Sequence, residues 1–135
     1  MAGLSNDDKA TALAAIEFFA GCTDRQRTDI AHLAEQRDVV AGDELCHEDQ
    51  FDQHVFVIVE GEASAKVGGQ DVGHIGAGEV VGEMAMLGDG HRKATLTALT
   101  PMRVLVLDAE EVDSVLAADP HSQEHLGPRH LREDH

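Results

Sequence analysis

Aromatic residues are nearly missing: the 135-residue chain has four phenylalanines and neither tryptophan nor tyrosine. Its core must therefore be aliphatic, and aromatic platforms for stacking bases of single-stranded nucleic acid are not expected. Basic residues are scarce too, with 10 Lys and Arg against 26 Asp and Glu, for a formal net charge of −16. A field of that sign opposes DNA, RNA and anionic membranes, so neither a nucleic-acid nor a membrane partner is expected. Any anionic ligand would need a local cationic site. The two cysteines, Cys22 and Cys46, lie far apart and form no C-x-x-C, which gives little support to a disulfide or a metal site. Cys46 sits among apolar residues and reads as a buried free thiol. No apolar run approaches the roughly 20 residues that span a bilayer. Met1-Ala2-Gly3-Leu4 leads straight into Ser5-Asn6-Asp7-Asp8, with no secretory pattern, and a cytoplasmic protein is expected.

What is present suits one domain with a proper core, at 14.5 kDa and 42% hydrophobic residues. The first part, 4–34, is helical in pattern. Leu13, Ile16 and Phe19 fall at helical spacing over Leu4 to Ala20, with Asn6 or Asp7 as possible caps. Gly21-Cys22 breaks this segment. Thr23 then opens a second helix, paired with Gln26 as a capping box, and Ile30 and Leu33 supply its apolar stripe. From there to residue 108, short β-like runs alternate with glycine-punctuated turns, the pattern of an antiparallel sandwich or barrel. The run Val55 to Val59 is apolar throughout and predicts a central strand covered on both faces. Gly68-Gly69 suits a two-residue hairpin turn. Met102 to Asp108 predicts a further strand. A short helix follows over 109–118, capped by Asp108, and then a polar tail over 119–135.

The most informative stretch runs from Gly78 to Ala98. Two valines lead into Gly82 and Glu83, a short apolar helix-capable piece follows (Met84 to Leu87), and Arg92-Lys93 returns after a polar turn. Partnerless N–H groups at the start of a helical turn form an anion site. A glycine just before it permits close approach of a ligand to the backbone. Arg92 would add a planar fork able to grip a phosphate with two hydrogen bonds. Glu83 would repel phosphate and so should accept from a neutral hydroxyl. A ligand with one phosphate beside one free hydroxyl fits this chemistry.

Residues 82–95, Gly-Glu-Met-Ala-Met-Leu followed after the loop by Arg-Lys-Ala-Thr, resemble the phosphate-binding cassette of cyclic-nucleotide-binding domains. The family includes catabolite-activator proteins and regulatory subunits of protein kinase A. Phe19-Ala20-Gly21-Cys22-Thr23 and the glycines Gly42, Gly61, Gly76 and Gly78 match other family landmarks, so the resemblance covers roughly Phe19 to Leu116. It implies a mainly β fold with flanking α-helices: an eight-stranded antiparallel β-roll, or jelly roll, with N-terminal helices and a short C-terminal helix. It also implies roles. Arg92 pairs with the cyclic phosphate, helped by the backbone N–H of Ala85. Glu83 accepts from the ribose 2′-hydroxyl beside the backbone of Gly82, Met84 lies within the cassette's turn, and Ala94 lines the base.

Lys93 stands where the family has Ser, Thr or Ala. It either adds a second cation near the phosphate or points into water. Without a hydroxyl there to tune purine choice, cAMP is expected ahead of cGMP. Pro120 and Gly127-Pro128 interrupt the helix that in relatives closes over the base. The expectation is a non-enzymatic sensor without a cofactor, a monomer or weak homodimer, signalling to an unknown effector protein by helix movement. Two other classes stay open. One is a degenerate roll that binds no nucleotide and serves as an interaction module. The other is a metal-dependent cupin enzyme using His47, His54, Glu60 and His74, although its H-x-H pattern is missing.

Overall fold

The computed structural model describes residues 3–82 and 92–117. Helix α1 spans Asn6–Ala14, a 3₁₀ turn Glu17–Phe19, and helix α2 Asp24–Leu33. The first helical segment is thus two pieces rather than one. Ile16 adopts extended backbone, φ −92° and ψ 124°, and turns the chain between them. Leu13, Ile16 and Phe19 still reach one common core, because a spacing of three suits tight turns as well as a helix. The cap differs as well. Ser5, not Asn6 or Asp7, closes α1: its hydroxyl accepts the Asp8 N–H, and the Asp8 carboxylate accepts the Ser5 N–H, a reciprocal box. Thr23 and Gln26 form the same device on α2, as expected.

Among the described residues, eight antiparallel strands make two four-stranded sheets. They are β1 (Glu35–Val39), β2 (Glu44–Cys46), β3 (His54–Glu60), β4 (Glu62–Val67), β5 (Gln70–Gly76), β6 (Val80–Val81), β7 (Thr95–Ala98) and β8 (Met102–Asp108). One sheet runs β1-β8-β3-β6, the other β2-β7-β4-β5. Helix α3, Ala109–Ala117, follows β8 directly.

Strand β3 is internal to its sheet and buried on both faces, as its apolar run predicts. Val55 and Val57 point into a core shared with α1, α2 and α3, whereas Phe56 and Ile58 point between the sheets. Strand β8 repeats the alternation, with Leu105 and Leu107 toward the helices and Val104 and Val106 between the sheets. Two largely aliphatic cores, each with one phenylalanine among its buried residues, thus share one pair of strands. Gly61 lets β3 turn into β4 against β8: a Cβ there would lie 2.5 Å from the Pro101 carbonyl oxygen, at a φ of +96°.

Two features of this frame position the site. Pairing of Phe56 with Val81 brings Gly82 alongside the start of β3, where His54 sits. The loop between β2 and β3 then touches two distant parts of the chain. Its Asp49 N–H donates to the Arg92 carbonyl (2.9 Å) and its Gln50 carbonyl accepts the Arg92 N–H (2.8 Å). Its Gln53 carbonyl accepts the N–H of Ala109, the first residue of α3, at 2.9 Å. Asp108 caps α3 as expected, its carboxylate accepting from the Glu110 and Glu111 N–H groups.

Candidate functional site

Arg92 lies just before β7, yet its side chain is folded inward and is only 4% exposed. Its Nη2 donates to the His54 carbonyl at 2.6 Å. The guanidinium sits over the Phe56 ring, 5.4 Å from the centroid, within reach of the ring's negative face. Gly82, at φ +83°, gives it room. A Cβ on that residue would overlap the guanidinium and stand 2.9 Å from the His54 oxygen. Glycine is required there twice over, by backbone conformation and by space.

The nearest described carboxylate is Asp52, whose Oδ2 is 3.5 Å from Arg92 Nη2. That is beyond good charge-assisted hydrogen-bond length. The other oxygen of Asp52 accepts the His54 N–H at 3.0 Å and lies 2.6 Å from His54 Nδ1. Burial pushes the Asp52 carboxyl up, but the His54 hydrogen bonds and the Arg92 charge outweigh it and hold the group below the usual carboxylate range. Arg92 Nε has no hydrogen-bond partner among the described residues. That Nε–H therefore has donor capacity directed at no acceptor among the described residues.

The remaining motif residues divide. Lys93 is exposed, and Ala94 is half-buried against the inter-sheet core, its carbonyl accepting from the Cys46 thiol at 3.6 Å. Thr95 is buried, and its hydroxyl accepts the Glu48 N–H at 3.0 Å, pinning the β2–β3 loop. Glu83, Met84 and Ala85 lie outside the described residues. Cys22 and Cys46 are both free and buried, and burial raises both thiol pKa values against the opposing charges of Arg27 and Arg92 respectively.

Sequence reasoning missed Phe56, Asp52 and His54 as neighbours of the arginine. Phe56 carried a faint signal, as the one aromatic residue within an otherwise aliphatic strand. Nothing in the local pattern of Asp52 or His54 points across the chain to residue 92. As for the cupin set, His47 faces Glu44 and His74 faces Asp71, each apart from the His54–Asp52 pair. No group of three His, Cys, Asp or Glu able to hold a metal occurs among the described residues.

Residues 36–119, more than half the chain, match the model of the cyclic nucleotide-binding domain. The chain belongs to that family. Among curated relatives, a putative potassium channel protein of Rhodopseudomonas palustris is 31% identical over 98 residues, covering 68% of this chain and 24% of the channel. A cGMP-dependent protein kinase of Caenorhabditis briggsae is 34% identical over 86 residues, 62% of this chain and 12% of the kinase. The chain therefore spans a quarter or less of these relatives. The regulatory domain of Toxoplasma gondii protein kinase A, solved with cAMP, superposes with a TM-score of 0.74 at 17% identity over 87% of this chain and 46% of that one. The β-roll of cyclic nucleotide-binding domains is thus the fold of this chain. No helix among the described residues is long and apolar enough to cross a membrane.

Proposed function

We propose that this chain is a non-enzymatic cyclic-nucleotide sensor that takes cAMP ahead of cGMP and signals to a partner protein through movement of α3. The observation that carries the reading is Arg92: a cation buried over Phe56 and against Gly82, its described carboxylate standing off at 3.5 Å and its Nε without an acceptor among the described residues. A cyclic phosphate would supply further acceptors to that guanidinium. Glu83 would accept from the ribose 2′-hydroxyl, the Ala85 N–H would assist at the phosphate, and Ala94 would face the base. Lys93, lacking a neutral hydroxyl, favours cAMP in this reading. The β2–β3 loop supports the signalling step, because it binds the Arg92 backbone at one end and the first amide of α3 at the other. Ligand acts by preferring one position of that helix to the other.

Calorimetric titration with cAMP and cGMP, beside Arg92→Ala, tests the reading. Saturable binding of cAMP that is lost in the variant is the expected result. Silence from both nucleotides in a cooperatively folding protein would sink it and favour the interaction module.

A further inference from the structure

Asp52 stands in series between an imidazole and the buried guanidinium. Oδ1 is 2.6 Å from His54 Nδ1, and Oδ2 is 3.5 Å from Arg92 Nη2. Only the first is a hydrogen-bond distance, so His54 holds the carboxylate and Arg92 merely attracts it. The His54 carbonyl binds the same guanidinium from the other side of the residue. Among the described residues, the other charged groups that line a cavity with the half-exposed His54 are acidic. Glu35 of β1, Asp108 of β8 and Glu111 of α3 line with it a cavity of about 190 Å³, closed by Leu33 and Val106.

An anion arriving at Arg92 meets Asp52 already beside it. Two negative charges cannot share the guanidinium without mutual repulsion. Resting on the nucleotide reading above, we propose that capture of a cyclic phosphate at Arg92 offsets the attraction of Asp52 to the guanidinium, leaves the carboxylate to His54 and is coupled to proton uptake at the His54 imidazole. The sign follows from charge. The bound state carries one more negative charge near His54, which favours imidazolium; it therefore holds more protons, and affinity rises as pH falls. In the ligand-free protein the Asp52 carboxyl is held below the usual range, so the proton is assigned to the imidazole. Asp52 is then a positioning residue and resident counter-ion, and His54 sets how firmly it competes with ligand.

The test is calorimetry of the full chain with cAMP between about pH 5.5 and pH 8, where histidine side chains change charge. Each titration is repeated in two buffers of different ionisation enthalpy, which counts protons directly. Wild type should bind roughly three- to tenfold more tightly at the acid end, with net proton uptake. His54→Gln keeps the carbonyl that Arg92 uses, and should bind with a flat pH profile. Asp52→Asn should bind more tightly than wild type at pH near 8, because no resident carboxylate then repels the phosphate. A slope unchanged in His54→Gln, or weaker binding by Asp52→Asn, overturns the proposal. Silence of all three folded proteins toward cAMP and cGMP overturns the nucleotide reading itself. Binding with a profile independent of His54 overturns this inference alone.

Discussion

Two inward-folded arginines in this molecule sit in opposite surroundings. Arg27, on α2, donates to the Phe19 and Cys22 carbonyls at 3.2 and 2.6 Å and to Asp24 at 2.6 Å. Its fork closes the seam between the 3₁₀ turn and α2, and nothing about it invites a ligand. Arg92 is more deeply buried, 4% against 15% exposed, yet it has one close carbonyl, a carboxylate at 3.5 Å and an unpartnered Nε among the described residues. Burial of charge is costly unless fixed acceptors replace the water. The first arginine has them and is structural. The second has fewer among the described residues, and the proposed binding role rests on that difference.

The contrast can be broken at several points. Gly82→Ala has the widest effect. It places a methyl into the Arg92 guanidinium at a left-handed backbone position, and should cost about 1–3 kcal/mol of stability along with measurable nucleotide binding. Denaturant melts and calorimetry on one sample report both. Arg92→Ala separates the two quantities. Affinity should fall by roughly ten- to hundredfold, as for a charged contact of about 1.5–3 kcal/mol, while the thermal midpoint holds or rises because an under-partnered charge is gone. A large drop in the midpoint would make Arg92 a second Arg27.

Arg27→Ala should do the reverse, lowering stability by about 1–2 kcal/mol through two lost carbonyl contacts and leaving cAMP affinity unchanged. Its pair with fully exposed Asp24 adds little. The smallest effect is acid sensitivity. Asp52 has a folded-state pKa below its ordinary value, so its ionised form stabilises the fold above that ordinary value, and the contribution is lost as pH falls through the folded pKa. Thermal melts taken from about pH 6 down to pH 3 should show a shallower decline in Asp52→Asn than in wild type.

The strand run at Val55 to Val59 was legible because a half-covered strand would alternate polar and apolar residues, and this one does not. The capping box at Thr23 and Gln26 was legible because both partners sit three residues apart. Residues Ser5 and Asp8 carry the same signal, which the two nearer acidic and amide residues obscured. The break at Ile16 could not be read, since Leu13, Ile16 and Phe19 reach the core either way. In the site, Gly82 and Arg92 belong to a contiguous motif. Asp52 and His54 became neighbours of Arg92 only through strand pairing across the roll, a relation that local spacing does not encode.

The hydrogen bond from the Ala109 amide to Gln53 has a consequence that runs backwards. Coupling free energy between two sites is reciprocal. If ligand at Arg92 shifts α3 through the β2–β3 loop, then whatever grips α3 from outside must alter ligand affinity by the same factor. A partner that recognises the ligand-bound position of the helix will tighten nucleotide binding, and one that recognises the free position will weaken it. Nucleotide affinity, measured with and without a candidate protein, thus becomes an assay for the effector. An effector-independent affinity, alongside unchanged hydrogen exchange at the Ala109 amide on adding ligand, would show that the loop carries no signal.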